Sequence, residues 1–251
     1  MKRVINGLDI NYTLMGERRT SLPAGRQVLI LHGWGSSSGK WQRAGELLAE
    51  NGLKVIIPDL PGFGESEKPK TAWDLDDYCD FVREFVDFLN LDKFYLLGHS
   101  FGGALAVKCS LKFPEKIDKL FLVSAACIRR KSFKVKFLKI ISKIFKIRPF
   151  FLRKLFYRKS DYLSVEGVMK ETYLKIIAED FSGVLSQVQV PTVIIWGERD
   201  DVVPLKNGYL IKQRIKNSKL VIIPGGDHDL EQKVPEKLTD VILTPPWRDS
   251  E

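Results

Sequence analysis

Cysteine is scarce: Cys79, Cys109 and Cys127 are the only three in 251 residues, and no two share a paired spacing. That argues against a disulfide framework and against a zinc site, and it leads us to expect a reducing, cytoplasmic setting. No uninterrupted apolar run approaches the ~20 residues of a membrane span. The start, "MKRVINGLDINY", lacks an apolar stretch of signal-peptide length. Histidine is as scarce as cysteine, with His32, His99 and His228. Chemistry that needs an imidazole must therefore choose among three. Acidic residues are missing from one place: positions 128–159 hold 13 Lys or Arg and no Asp or Glu. The formal net charge of +9 comes from that segment, because the rest has 27 basic against 31 acidic residues. A nucleic-acid partner is not expected, since such proteins spread basic charge over a binding face.

What is present is enough for one large domain with a core, or a domain with an insertion: 44% of residues are hydrophobic. Short apolar runs alternate with longer amphipathic ones. The runs "VLIL" (Val28–Leu31), "KVIIP" (Lys54–Pro58), "FYLLG" (Phe94–Gly98), "LFLVS" (Leu120–Ser124), "TVIIW" (Thr192–Trp196) and "LVIIP" (Leu220–Pro224) are near-continuous, as strands covered on both faces require. Leu75–Asn90 carries its apolar residues at helical spacing. The alternation predicts a mostly parallel sheet flanked by helices, an α/β fold. At the N-terminus, Asn6-Gly7 between apolar alternations predicts a hairpin. The stretch from Gly16 to Gln27 reads as a surface loop. After Ser124 the pattern breaks, and Cys127 to Gln187 shows helical periodicity only. The expected organisation is a core from 1–126, a helical lid over 127–187 and a core completed by 188–251.

Chemistry concentrates in "FYLLGHSFGGALAV" (Phe94–Val107). Gly98-His99-Ser100-Phe101-Gly102 fits G-x-S-x-G between a predicted strand and a predicted helix. A sharp strand-to-helix turn forces the serine into strained angles, and a side chain at either glycine would strike the neighbouring elements. Ser100 is thereby lifted off the sheet, beside a helix N-terminus that favours negative charge.

A nucleophilic serine needs a base. His99 adjoins Ser100, but neighbouring side chains on such a turn point apart. His32 opens "HGWG" and is read as a brace for that loop. His228, in "PGGDHDL", follows the last strand, on the edge where open α/β sheets place their sites, and is the chosen base. The base needs an acid to fix its tautomer. "WGERDDVVP" offers Glu198, Asp200 and Asp201, of which Asp200 is chosen and Asp201 remains the rival. The N–H groups of Phe101 and Trp34 are the expected oxyanion donors, with Gly33 and Gly35 letting backbone approach. Each such donor is worth about 3–4 kcal/mol.

Taken in order, "LILHGWG", "VIIPDLPGFGESEKP", "LLGHSFGG", "WGERDDVVP" and "PGGDHDL" make the chain resemble the α/β-hydrolase superfamily over nearly its whole length. The resemblance implies Ser100 as nucleophile, Asp200 as acid, His228 as base, and Trp34 and Phe101 as oxyanion donors. His32, Gly33, Gly98, His99 and Gly102 support them. The implied activity is a serine hydrolase acting on a small ester-like molecule through an acyl-enzyme, with no metal or organic cofactor. Relatives with this triad also cleave carbon–carbon bonds in ring-cleavage diketones, or act as lyases or cofactor-free haloperoxidases. A small-molecule receptor that kept the fold is the non-enzyme alternative. Two departures stand out. Asp227 occupies the position before the histidine, where glycine is common, and is expected to raise the histidine pKa or compete with Asp200. "TPPW" (Thr244–Trp247) is expected to break the last helix early.

Other residues are read as structural. Asp59 in "DLPGFGES" is expected to tether a loop shaped by Pro61, Gly62 and Gly64. The cysteines are read as packing groups. The basic segment, "KSFKVKFLKIISKIFKIRPFFLRKLFYRK", is read as a lid helix with an apolar inner face and solvated lysines. Peripheral contact with an anionic membrane is its second reading.

Overall fold

A computed structural model describes residues 1–16, 27–129 and 166–244. Each predicted apolar run forms a strand: β3 (Gln27–Leu31), β4 (Lys54–Pro58), β5 (Phe94–His99), β6 (Ile117–Val123), β7 (Thr192–Gly197) and β8 (Ser218–Ile223). The N-terminal hairpin supplies β1 (Lys2–Ile5) and β2 (Leu8–Met15), joined through Asn6 and Gly7, both at positive φ. Together they make one eight-stranded sheet of order β1-β2-β4-β3-β5-β6-β7-β8. The β1–β2 and β2–β4 pairings are antiparallel and the rest are parallel.

The continuous apolar runs follow from having two cores to fill. In a strand, successive side chains point to opposite faces. Val28 and Ile30 enter one core while Leu29 and Leu31 enter the other; Phe121 and Val123 oppose Leu120 and Leu122 in the same way. Helices α1 (Gln42–Glu50), α6 (Leu230–Lys233) and α7 (Pro235–Leu243) cover the first core. Helices α2 (Leu75–Phe88), α3 (Phe101–Lys112) and α5 (Lys206–Arg214) cover the second. The Asp74 carboxylate accepts the N–H groups of Asp76 and Asp77, and Asp77 returns the bond to the Asp74 N–H, so a reciprocal cap starts α2. The helix α7 stops at Leu243, just ahead of the two prolines.

From the expected lid, the described residues include 127–129 and 166–187. The latter hold α4 (Val168–Ala178) and two short 3₁₀ turns, with no strand among them. Most of the basic segment, and the loop expected from Gly16 to Gln27, lie outside the described residues. No helix among the described residues is long and apolar enough to cross a membrane. The three cysteines are fully buried and unpaired by disulfide, and burial pushes the Cys127 thiol up to about 12.

The parallel strands all point their carboxyl ends to one rim. Ser100 follows β5, the Asp200 loop follows β7 and the His228 loop follows β8, and His99 and His228, 129 positions apart in sequence, meet there.

Candidate active site

The turn after β5 is fixed by contact. A Cβ on Gly98 would lie 2.2 Å from the Gly102 carbonyl oxygen, and one on Gly102 would lie 2.1 Å from that of Leu31. Only glycine lets α3 start this close to the sheet. Between them Ser100 is held at φ 52°, ψ −112°, a region costing a residue with a Cβ about 1–3 kcal/mol. The surroundings enforce it: the Ser100 N–H donates to the Val123 carbonyl (3.0 Å), and the Ser100 carbonyl accepts from Gly103 (3.0 Å) and Ala126 (2.9 Å). Ser100 is the N-cap residue of α3, yet its hydroxyl does not cap the helix. The hydroxyl makes no hydrogen bond among the described residues, and Ser100 is half-buried. It is thus available to a substrate.

His228 and Asp200 are joined directly. Asp200 Oδ2 lies 2.9 Å from His228 Nδ1, and its other oxygen accepts the N–H groups of Val202 (3.0 Å) and Val203 (2.8 Å). The aspartate side chain is fully buried, which holds it in one orientation. Asp201, the rival, is exposed. The loop carrying Asp200 is pinned to the one carrying His228: Arg199 N–H donates to the Gly226 carbonyl (2.7 Å), and Gly225 N–H donates to Glu198 (2.9 Å). Burial opposes a charge on His228. The Asp200 hydrogen bond and charge outweigh that, with Asp229 and Glu231 adding to them, and the imidazole pKa is raised above the usual histidine value.

Asp227 corrects an expectation. Its carboxylate pairs with Lys233 and accepts the Asp229 N–H (3.0 Å), and the acids that raise the His228 pKa most are Asp200, Asp229 and Glu231. The extra charges there are Asp229 and Glu231, and periodicity could not show the latter, because the helix carrying it has four residues. Glu231 is almost wholly buried, and burial raises its pKa.

The other two histidines are neutral struts. His32 Nε2 accepts the Leu60 N–H (2.9 Å) and its Nδ1–H donates to the Gly33 carbonyl (2.8 Å), so the ring joins the glycine loop to the loop after β4 and both its nitrogens are consumed. Burial lowers its pKa to about 4. His99 Nε2–H donates to the backbone carbonyl of His228 (3.0 Å), and the two rings lie 4.8 Å apart. Burial lowers its pKa to about 3. The residue beside the serine thus grips the loop that carries the base. In sequence His99 is only a neighbour of Ser100, and no signal there points to a contact 129 residues away.

Phe101 opens α3, where a backbone N–H has no intrahelical acceptor. Trp34 packs edge-on against the Phe101 ring, with centroids 5.6 Å apart. A Cβ on Gly33 would sit 3.4 Å from that of Ser100. Phe63 (4.8 Å) and Tyr173 (5.0 Å) pack edge-on against Trp34, making an aromatic cluster beside Phe101. Asp59 ties this loop down, accepting from Ser38 N–H (2.6 Å), Glu65 N–H (2.9 Å) and Asn11 (2.9 Å). No group of metal-binding side chains occurs among the described residues.

Known proteins resemble this chain in sequence and fold. The sequence model of a family described as "alpha/beta hydrolase fold" matches residues 27–157. A bifunctional esterase/perhydrolase of Acinetobacter calcoaceticus is 27% identical, over 95% of this chain and 96% of that protein. A 2-hydroxy-6-oxononadienedioate/2-hydroxy-6-oxononatrienedioate hydrolase of Pseudomonas putida is 28% identical, over 85% of this chain and 83% of that protein. Among solved structures, an esterase from Exiguobacterium antarcticum superposes with a TM-score of 0.74 at 25% identity, covering 96% of this chain and 97% of that one.

Proposed function

The chain belongs to the alpha/beta hydrolase family, and from that premise we propose that it is a serine hydrolase of carboxylic esters or thioesters. The observation that supports this most is the hydrogen bond of His228 to the buried Asp200 carboxylate, at the rim that also carries a strained serine whose hydroxyl is not used as a helix cap. In the proposed cycle, His228 Nε2 takes the Ser100 proton as the oxygen attacks the substrate carbonyl carbon. Asp200 keeps the other ring nitrogen protonated and stabilises the imidazolium. The carbonyl oxygen becomes negative and is held by the N–H groups of Phe101 and Trp34. The imidazolium then gives its proton to the departing alcohol or thiol, leaving an acyl group on Ser100. Water enters and gives a proton to His228 as its oxygen attacks the acyl carbon; the acid then leaves as the bond to Ser100 breaks, and the imidazolium returns its proton to the serine oxygen.

Residues 127–187 are the proposed lid over an otherwise continuous core of 1–126 and 188–251. The aromatic cluster of Trp34, Phe63 and Tyr173 suits a substrate with an apolar part. The likeness to the Pseudomonas putida enzyme supports a second reading, cleavage of a carbon–carbon bond in a diketone with the same residues.

A panel of p-nitrophenyl esters, an acyl thioester and a ring-cleavage diketone separates the two readings. Turnover of the esters or thioester, lost by a factor of ~10⁶ in Ser100→Ala, is the expected result. Near-normal ester hydrolysis by that variant would remove Ser100 from the mechanism.

A further inference from the structure

Arg129 stands beyond the end of β6, in the segment that leaves the rim beside Ser100. That segment is held to the nucleophile by the Ala126 N–H bond to the Ser100 carbonyl (2.9 Å). It is held to the far side by the Phe181 N–H bond to the Cys127 carbonyl (3.0 Å). A guanidinium placed so would ordinarily be paired, because removing its charge from water is costly. Here its Nε is buried with no hydrogen-bond partner, and no carboxylate among the described residues forms an ion pair with it. The closest acid in influence, Asp180, is already occupied. Its Oδ1 accepts the N–H groups of Arg129 and Ser182, both at 3.1 Å, and its Oδ2 accepts the Ser182 hydroxyl. Along the chain the first acidic residue after Arg129 is Asp161, which lies outside the described residues.

The groups that act on the Arg129 charge are Tyr173, then Cys127 and Asp180, while burial itself lowers its pKa. Tyr173 is the residue whose ring meets Trp34 edge-on at 5.0 Å, and Trp34 meets Phe101 edge-on, next to Ser100. A chain of ring contacts therefore runs from the residue beside Ser100 towards the unpaired cation. An arginine presents its donors as a planar fork that fits a carboxylate.

We propose that Arg129 is the anchor for a carboxylate on the substrate, so that the preferred ester carries a negative charge at the end remote from the reacting carbonyl. This rests on the serine-hydrolase reading for the position of the reacting bond, and not for the anion site itself. Arg129 is a specificity residue here. It takes no part in bond making, and the free energy of its pairing is realised when the substrate enters.

The test compares p-nitrophenyl half-esters of succinic, glutaric and adipic acids with the p-nitrophenyl esters of butyric, pentanoic and hexanoic acids. The readout is the ratio of kcat/KM for each charged ester to that for its neutral counterpart. This ratio cancels any general damage. The expected result is a wild-type ratio above one for at least one chain length. It should fall on the order of 10- to 100-fold in Arg129→Gln and by less in Arg129→Lys, which keeps the charge without the fork. A wild-type ratio below one at every length, or a ratio that Arg129→Gln leaves unchanged, would overturn the proposal. Calorimetric titration of the Ser100→Ala protein with glutarate gives a readout that needs no turnover. Binding weakened tenfold or more by adding Arg129→Gln is expected, and binding indifferent to Arg129 would overturn the site. Should the wild type cleave no ester while glutarate binding still depends on Arg129, the anion site stands and the serine-hydrolase reading falls. Neutral and charged esters cleaved alike, with and without Arg129, would remove the anion site and leave the serine hydrolase standing.

Discussion

The Ser100 turn and the His228 loop reach the same rim by different physics. At Ser100 the geometry is set by hard contact: two glycines press against backbone oxygens, and the serine φ has nowhere else to go. At His228 it is set by polar bonds. Asp200 holds one ring nitrogen, His99 holds the backbone carbonyl, and two further bonds pin the neighbouring loop. Steric definition fails abruptly when a methyl group is added. Polar definition fails in steps, one bond at a time, and leaves the fold standing. The lesson is that this site joins a rigid half to an adjustable half, and substitutions on the two should behave differently.

The largest effect is expected on the polar side. Asp200→Asn should keep the fold and cost about 10⁴ in kcat, because the histidine loses its enforced tautomer. Full activity in this variant would mean that Asp200 has no part in the reaction. Next, on the steric side, Gly102→Ala should cost about 3 kcal/mol or more in urea unfolding, with activity lost alongside stability, since its Cβ would meet the Leu31 carbonyl. A stable and active Gly102→Ala protein would show that the turn is less constrained than its contacts imply.

The pH dependence sharpens the contrast further. His228 must be neutral to accept the serine proton, and its pKa is raised. Activity should therefore rise with pH through an ionisation above 6.5, and Asp200→Asn should move that limb to lower pH. A limb at or below 6.5 in the wild type would contradict the assigned surroundings of the histidine. The struts have the opposite sign. His32 and His99 have folded pKa values lowered to about 4 and about 3, below the unfolded value of 6.5. Their neutral burial supports folding at pH 7, and that support is lost as pH falls from about 6.5 towards 4. Each histidine contributes on the order of 3 kcal/mol to the loss. His228, with its pKa raised, acts the other way and favours the folded state at low pH. A denaturant midpoint that falls steadily from about pH 7 to about pH 4.5 is the expected result, and a flat one would count against neutral struts. The smallest effect is reserved for His99→Gln. It should trim activity by about tenfold through a loosened His228 carbonyl, while leaving the Ser100 backbone in place.

The steric half is the more legible in sequence, and the reason is physical. Continuous apolar runs are the direct mark of strands buried on both faces, and glycines flanking a lone serine mark a turn with no room for side chains. The hairpin at Asn6-Gly7 is readable for the same local reason. The polar half depends on contacts between residues far apart in the chain. Asp200 and Asp201 differ by one register position, and only the fold shows which carboxylate meets the imidazole. Asp227 reads as a competitor because its sequence neighbour is His228, yet a lysine on the following helix neutralises it. In sequence Arg129 is one of thirteen basic residues in a segment read as solvated, and its lack of a partner is visible only in three dimensions. Residues 130–165, where the basic lid is expected, lie outside the described residues.

The central claim is that Ser100 is a nucleophile activated by His228. Reaction with a fluorophosphonate, followed by mass spectrometry of the digested protein, tests it most directly. The account predicts one adduct per chain, on the peptide containing Ser100, formed much more slowly in His228→Ala. No adduct, or an adduct on another residue at the same rate in both proteins, would contradict it.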